Sequence, residues 1–169
     1  MSIRLHADVG LADAAREHLA GGADRLGFFL ADVDGSVFRL REWRPIDIAA
    51  LEYVSDGHTV LNDGAAVEVI RWAHQCDASL VEVHSHGQFG PAAFSPIDVV
   101  GLAEWVPAVR WRLRGAPYAA AVTAADTVDA WAWIGATAEP AQVDAVVVGT
   151  DVIRTTGATL ERIHAQLRL

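Results

Sequence analysis

The strongest constraint on the fold is an alternating segment in the middle of the chain, SLVEVHSH at residues 79–86. Its apolar residues Val81 and Val83 alternate with Glu82, His84 and His86. Because successive side chains of a β-strand point to opposite faces of a sheet, this alternation predicts a strand with one apolar and one polar face. The two histidines would project from the polar face with their Cα atoms about 6.6 Å apart. Such a strand needs a core on one side and presents a candidate site on the other.

A helix is predicted to begin shortly after this strand, at Ser95-Pro96. Proline suits the first helical position because its missing N–H would have no partner there. Asp98 then lies in the first turn of the helix, close enough to complete a ligand set with the two histidines. Zinc accepts imidazole nitrogens and a carboxylate oxygen, and three protein ligands plus water form the catalytic arrangement. We therefore expect one Zn²⁺ per chain at His84, His86 and Asp98.

The same residues also have structural explanations, which the sequence leaves open. Ser-X-X-Asp is a helix-capping pattern, in which Ser95 accepts from a backbone N–H and Asp98 reaches back to the cap. A His-X-His pair at the end of a strand can be satisfied by solvent or by backbone groups. The presence of both patterns in one strand, loop and helix favours the metal site.

Composition and charge exclude several other classes of protein. With 169 residues, 52% of them hydrophobic, the chain predicts one globular domain at residues 1–169. Cys76 is the only cysteine, so we expect neither a disulfide framework nor a cysteine-ligated metal. The net charge of −9 argues against nucleic acid as a partner, because phosphate binding depends on clustered Lys and Arg. No apolar run approaches the ~20 residues of a bilayer span, and the N-terminal residues lack a signal-peptide core. A cytoplasmic protein with no membrane partner is expected.

The remaining patterns predict an α/β fold of the α+β type, with a mixed, mainly antiparallel sheet flanked by helices. Asp34-Gly35 predicts a tight turn between two antiparallel strands. Residues 45–61 predict a loop with a short strand near 49–54. Apolar spacing predicts helices at 9–20, at 62 or 63 to 75 and at about 151–167, and strands at about 117–124, 128–134 and 143–149.

The segment His84-Ser85-His86, followed by Ser95 and then Asp98, resembles the metal signature of the JAMM (MPN+) zinc metalloproteases, which include the prokaryotic JAB proteins. The resemblance covers roughly residues 8–135, and residues 136–169 would add a strand and a helix. It implies a cytidine-deaminase-like, three-layer architecture. It also implies a zinc ion held by both histidines and the aspartate with an activated water. The implied activity is hydrolysis of a peptide or isopeptide bond at the C-terminal tail of a ubiquitin-like protein.

Three positions depart from the family pattern. The spacer at residues 87–94 has eight residues where the family usually has seven, and Gly87 stands where a proline usually follows the second histidine. The family's catalytic glutamate, three residues before a glycine, corresponds to Asp24 in the segment ADRLG. The resemblance therefore implies that Asp24 is the general base, although the reach of its carboxylate is shorter by one C–C bond, about 1.5 Å.

The sequence leaves alternatives for the catalytic roles and for the function. Glu82 is the alternative base, because it shares the strand face of the two histidines. Ser95 is expected to donate a hydrogen bond to the oxyanion of the transition state. The substrate could be a ubiquitin-like protein, a small sulfur-carrier protein or an unrelated peptide, and a homodimer is compatible with the sequence. A catalytically weak or inactive scaffold module of the same fold is the alternative to an enzyme.

Overall fold

Nine strands form one mixed sheet, and two further strands form a separate hairpin. The structure is a computed structural model that describes residues 1–22, 24–55, 58–87 and 90–167. The strands within these residues are β1 (Arg4–Ala7), β2 (Leu26–Asp34), β3 (Val37–Pro45), β4 (Leu51–Ser55), β5 (His58–Leu61), β6 (Ser79–Ser85), β7 (Tyr118–Ala124), β8 (Thr127–Trp133), β9 (Ala141–Gln142), β10 (Ala145–Val148) and β11 (Asp151–Arg154).

The order of strands in the sheet is β11-β10-β1-β3-β2-β6-β7-β8-β9. The pairs β10/β1, β1/β3 and β6/β7 are parallel. The other five neighbouring pairs are antiparallel. The predicted mixed, mainly antiparallel sheet is therefore confirmed.

Helices flank this sheet on both faces. The α-helices of the described residues are α1 (Val9–Leu19), α2 (Asp63–Gln75), α3 (Pro96–Arg112) and α4 (Ala158–Gln166). Ala15 and Leu19 of α1 pack against one face, in a cluster with Phe29 and Val81. Buried and half-buried apolar residues of the other three helices belong to the cluster on the opposite face, which contains Phe28 and other residues of the sheet.

The helices α1 and α2 each begin at a side-chain cap. Asp8 accepts from the backbone N–H of Leu11 at the start of α1, and Asn62 accepts from Ala65 at the start of α2. Each side-chain oxygen satisfies one of the N–H groups that have no partner within the helix. The predicted helices at 9–20 and 62 or 63 to 75 are confirmed to within one residue of their ends.

The segment 45–61 differs from the prediction of a loop with one short strand. A short 3-10 turn at Ile48–Ala50 precedes β4, and β4 pairs with β5 as an antiparallel hairpin. The sequence has an Asp-Gly pair at 56–57, the same turn signal as at 34–35, but these two residues lie outside the described ranges.

The C-terminal segment, predicted as one strand and a helix from about 151, contains three short strands before the final helix. Gly149, with a φ of 60°, begins a two-residue turn that joins β10 to β11. Val148 and Asp151 then face each other in an antiparallel pair, so Asp151 begins a strand rather than a helix. The helix α4 begins only at Ala158.

The segment 141–148 connects the two ends of the sheet. Its first part, β9, pairs with β8, and its second part, β10, pairs with β1. Between them, Val143 N donates to Ala130 O and Asp144 N donates to Ile3 O. The sheet therefore curls so that its distant strands meet around the apolar cluster that includes α1.

Trp131 and Trp133 of β8 lie in the core. Their exposed fractions are 3% and 4%, and both belong to the cluster beneath α2, α3 and α4. None of the helices in the described part of the chain is both long and apolar enough to cross a bilayer.

Candidate metal centre

The two histidines of the candidate centre come from the end of β6. In this strand His84 faces Leu26 of β2 on one side and Val122 of β7 on the other. The ladder continues for one residue beyond the strand, because His86 N donates to Thr123 O at 2.8 Å. Pairing on both edges thus holds the backbone of both ligands, and the alternation of the strand turns both imidazoles to the same face.

Asp98 is brought to this face by the start of α3. Ser95 is the N-cap of the helix and forms a capping box with Asp98, in which each side chain accepts from the backbone N–H of the other residue. The hydroxyl of Ser95 also donates to Asp98 Oδ2 at 2.7 Å. The predicted capping pattern is therefore present, and it orients the carboxylate of Asp98 rather than competing with the cluster.

Three ligand atoms form a compact triangle on this face. His84 Nε2 and His86 Nε2 are 3.2 Å apart, and their distances to Asp98 Oδ2 are 3.5 and 3.1 Å. Among the described residues, these three side chains form the one group of His, Cys, Asp or Glu whose ligand atoms converge in this way. The structure therefore brings together all three residues that the sequence indicated as metal ligands.

The electrostatics of the triangle favour a carboxylate next to positive charge. Burial alone would raise the pKa of Asp98, but hydrogen bonds from His84 and His86 and the charge of His84 hold it well below its usual range. Burial alone would lower the pKa of His84, but its hydrogen bond with Asp98 and the negative charge of Asp98 raise it. These shifts stabilise an ionised Asp98 carboxylate next to a protonated His84 imidazole.

The charges of both candidate bases act on the ligand His84. The negative charges of Glu82 and Asp24 contribute, after Asp98, to the raised pKa of His84. Glu82 Oε2 accepts from the hydroxyl of Tyr118 at 2.6 Å, and that hydroxyl accepts from Trp105 Nε1 at 2.8 Å. Burial, followed by the charge of Glu82, raises the pKa of Tyr118, so the phenol stays a donor. Glu82 is therefore engaged in a hydrogen-bonded chain that the sequence did not reveal.

Asp24 lies in the turn before β2. Hydrogen bonds to Ser85 hold this turn against the end of β6. Asp24 N donates to Ser85 O at 2.8 Å, and its φ of 60° is in the left-handed region. The hydroxyl of Ser85 accepts from Arg25 N at 3.1 Å and donates to Gly22 O at 2.8 Å. Ser85, between the two histidines, thus positions the turn that carries Asp24. Sequence analysis named Ser85 only as part of the motif and did not predict this role.

Gly27 is required three residues after Asp24 because an aromatic ring covers its backbone. A Cβ at this position would overlap the indole of Trp43, which packs on the adjacent strand β3. The same indole contacts the ring of Phe29 and the imidazole of His18, whose Nε2 is bonded to Leu26 O. The start of β2 is therefore positioned by a hydrogen bond to its backbone and by the packing of the Trp43 indole on one of its faces.

Phe94 is a further residue of the site that sequence analysis did not identify. Its side chain is 2% exposed, and its ring centroid lies 5.9 Å from that of His84 and 5.0 Å from that of Trp131. It occupies the position before Ser95, at the end of the spacer 87–94. Residues 88 and 89 of that spacer lie outside the described ranges.

Comparison with known proteins identifies similar solved structures, which inform on the fold. No family model and no curated protein matches the sequence. Among solved structures, the chain is similar to the solution structure of protein DSY2949 from Desulfitobacterium hafniense, with a TM-score of 0.56 and 12% sequence identity. The match covers 87% of this chain and 94% of that protein. At this identity the likeness shows an α+β fold shared over most of both chains, and function has to be argued from the site itself.

Proposed function

We propose that this protein is a JAMM-type zinc metallopeptidase with the cytidine-deaminase-like architecture of that family. Its proposed reaction is hydrolysis of a peptide or isopeptide bond at the C-terminal tail of a ubiquitin-like or small sulfur-carrier protein. The observation that carries the proposal is the triangle of His84 Nε2, His86 Nε2 and Asp98 Oδ2, with edges of 3.1 to 3.5 Å. Zinc bonds of about 2.0–2.1 Å in a tetrahedral site separate the ligand atoms by about 3.3 Å, which matches these edges.

The chemistry of the three ligands fits zinc as well. Two imidazoles and one carboxylate are a catalytic type of ligand set, which leaves the fourth tetrahedral position open. When bound, zinc would supply Lewis-acid polarisation of a carbonyl oxygen and a lowered pKa of water. His84, His86 and Asp98 would hold the ion, and the capping box with Ser95 would keep Asp98 in place.

Asp24 is the proposed general base, and Ser95 the proposed oxyanion donor. A carboxylate within hydrogen-bond reach accepts a proton from the attacking water and delivers it to the leaving amine. Asp24 is favoured over Glu82 by its position in the motif and because Glu82 accepts a hydrogen bond from Tyr118. The hydroxyl hydrogen of Ser95 can rotate from Asp98 to the developing oxyanion, while the oxygen continues to accept from the helix.

The substrate class rests on the motif and on charge. The resemblance in residues 84–98 is to enzymes that act on C-terminal tails of ubiquitin-like proteins. The net charge of −9 argues against a DNA-associated role. The proposed partner is therefore a small protein with an extended C-terminal tail, and the proposed location is the cytoplasm.

Zinc content of the purified protein, compared with that of His84→Ala, tests the proposal. His74→Ala is the matched control, because His74 is exposed near the end of α2 and belongs to no ligand cluster of the described residues. We expect about one zinc per chain in the protein and in His74→Ala, and loss of zinc in His84→Ala, since removal of one of three ligands leaves too few. Cleavage is then assayed on ubiquitin-like and sulfur-carrier proteins that carry a reporter peptide at the C-terminus.

A folded, unchelated sample without zinc would contradict the enzyme and favour the alternative, an interaction or scaffold module. One observation supports that alternative: Asp98 already has hydrogen-bonding partners within the protein. Its Oδ2 accepts from Ser95 N and lies 3.1 Å from His86 Nε2. Asp24 in place of the family glutamate points in the same direction.

A further inference from the structure

The C-terminal segment contacts the loop that leads to Asp98 through two threonine hydroxyls. Thr159 Oγ1 accepts from Phe94 N at 2.9 Å, and Thr156 Oγ1 donates to Ala92 O at 2.6 Å. Ser95, the N-cap of α3, follows Phe94 directly. The residues 156–159 therefore hold the backbone from which the capping box, and with it the Asp98 carboxylate, begins.

Thr159 is itself held by a buried carboxylate. Asp129 is 0% exposed, and its Oδ2 accepts from Thr159 Oγ1 at 2.6 Å and from Thr159 N at 3.1 Å. Its other oxygen accepts from Gln142 Nε2 at 2.9 Å and from Ala130 N. Because the threonine hydroxyl has one hydrogen, which it donates to Asp129, its oxygen must act as the acceptor for Phe94 N. The carboxylate of Asp129 thus makes Thr159 Oγ1 the acceptor in its hydrogen bond with Phe94 N.

The hydrogen bond from Phe94 N to Thr159 also affects the ligand His84, because the ring of Phe94 packs against the His84 imidazole. In the sheet, His84 faces Val122 of β7, and Val122 faces Asp129 of β8, so His84 and Asp129 flank this valine on one face. Two strand spacings separate them by about 10 Å. The Phe94 ring contacts the His84 imidazole from the side of β7 and β8, with centroids 5.9 Å apart. A shift of the Phe94 backbone would therefore move a neighbour of one ligand and the cap that orients another.

We infer that Thr159, held by Asp129, is a positioning residue for the metal centre, so that the C-terminal helix α4 is part of the site. The inference rests on the proposed metal function and assigns a role in it to residues 156–159. Thr159 touches neither metal nor substrate; it acts through Phe94 on His84 and on the Ser95–Asp98 cap. Groups that orient metal ligands from outside the coordination sphere change metal affinity by about 10- to 100-fold when they are removed.

The test compares three threonine variants by metal binding rather than by activity. Thr159→Val removes the hydroxyl and keeps the shape of the side chain, while Thr159→Ser keeps the hydroxyl. Thr137→Val is the matched control, because the Thr137 hydroxyl lies in an exposed loop and bonds to the backbone of Glu139. Zinc affinity is measured by competition with a chromophoric chelator, and the ligand geometry by the visible absorption spectrum of the Co²⁺ form.

We expect Thr159→Val to weaken zinc binding by about tenfold, the lower end of the range for such groups, and to alter the Co²⁺ spectrum. Thr159→Ser and Thr137→Val should keep the affinity and spectrum of the unmodified protein. Unchanged affinity and spectrum in Thr159→Val would overturn the inference while leaving the proposed function intact. An equal loss in Thr137→Val would also overturn it, since the effect would then not be specific to Thr159.

Two further outcomes are decided by the same measurements. If Thr159→Val does not fold, Thr156→Val replaces it, because it removes the other hydroxyl contact to the loop at a half-buried position. Zinc affinity in Thr156→Val equal to that of the unmodified protein would then overturn the inference. If the unmodified protein binds no zinc, the proposed function fails, and the inference fails with it.

Discussion

The carboxylate of Asp98 illustrates how single residues serve two purposes in this site. Its Oδ2 accepts from Ser95 N and Ser95 Oγ, both at 2.7 Å, and lies 3.1 Å from His86 Nε2. The first bond is one half of the capping box of α3, the second orients the carboxylate, and the contact with His86 directs it to the histidines. The capping and ligand interpretations of Ser-X-X-Asp are therefore compatible, because a capping aspartate is already desolvated and oriented.

The choice between the two candidate bases is also decided at single residues. Asp24→Asn keeps the size of the side chain but removes the proton acceptor. We expect zinc content to be retained and kcat to fall by about 10²- to 10⁴-fold, the usual contribution of a general base. Glu82→Gln is the companion variant, because its amide oxygen can still accept from Tyr118. Steady-state kinetics on a cleaved reporter fusion checks both, and full activity in Asp24→Asn with loss in Glu82→Gln would move the role to Glu82.

At the level of elements, the site depends on where α3 begins. The cap of α3 is Ser95, whose side chain accepts from Asp98 N, and the cap of α1 is Asp8, whose side chain accepts from Leu11 N. The two caps have the same function for their helices, but only the first includes a proposed ligand. Comparison of the two caps therefore separates the stability of a helix from the binding of metal.

We expect Ser95→Ala and Asp8→Ala each to lower the free energy of unfolding by about 1 kcal/mol, the usual cost of losing an N-cap. Only Ser95→Ala should also weaken zinc binding, because it removes the hydroxyl bonded to Asp98 Oδ2. Denaturant titration and chelator competition measure the two quantities. Equal zinc affinity in the two variants would show that the Ser95 hydroxyl does not contribute to zinc binding.

The elements that contain the site residues can be predicted from local sequence patterns, whereas their contacts with segments far away in the sequence cannot. Alternation along β6 predicts a common face for His84 and His86, and Ser95-Pro96 predicts the start of α3, because both signals lie within a few residues. The strand β1 pairs in parallel with β10, about 140 residues away, and four residues carry too little periodicity to predict such a pair. The bond from Tyr118 to Glu82 and the contact from Thr159 to Phe94 likewise depend on the register of distant segments.

On the scale of the whole molecule, the candidate centre joins parts of the fold that are otherwise separately anchored. β6 lies in the middle of the sheet between β2 and β7, while α3 packs on the face that α2 also covers. The C-terminal segment closes the sheet against β1 and also reaches the loop before α3. A metal ion at His84, His86 and Asp98 would therefore link the central strand to the helix layer in the native state only.

Zinc should for this reason stabilise the whole fold. A ligand that binds the native state alone adds about 2.7 kcal/mol at a free concentration 100-fold above its Kd. For a chain of this size, 1 kcal/mol corresponds to about 2–4 °C, so the midpoint of thermal unfolding should rise by about 5–10 °C between chelated and zinc-loaded protein. Differential scanning calorimetry on both forms measures the shift. His84→Ala is the control, and its midpoint should not respond to zinc. A similar rise in that variant would show that zinc acts at other residues, and a zinc-loaded protein with an unchanged midpoint would show that the three ligands do not bind the ion together.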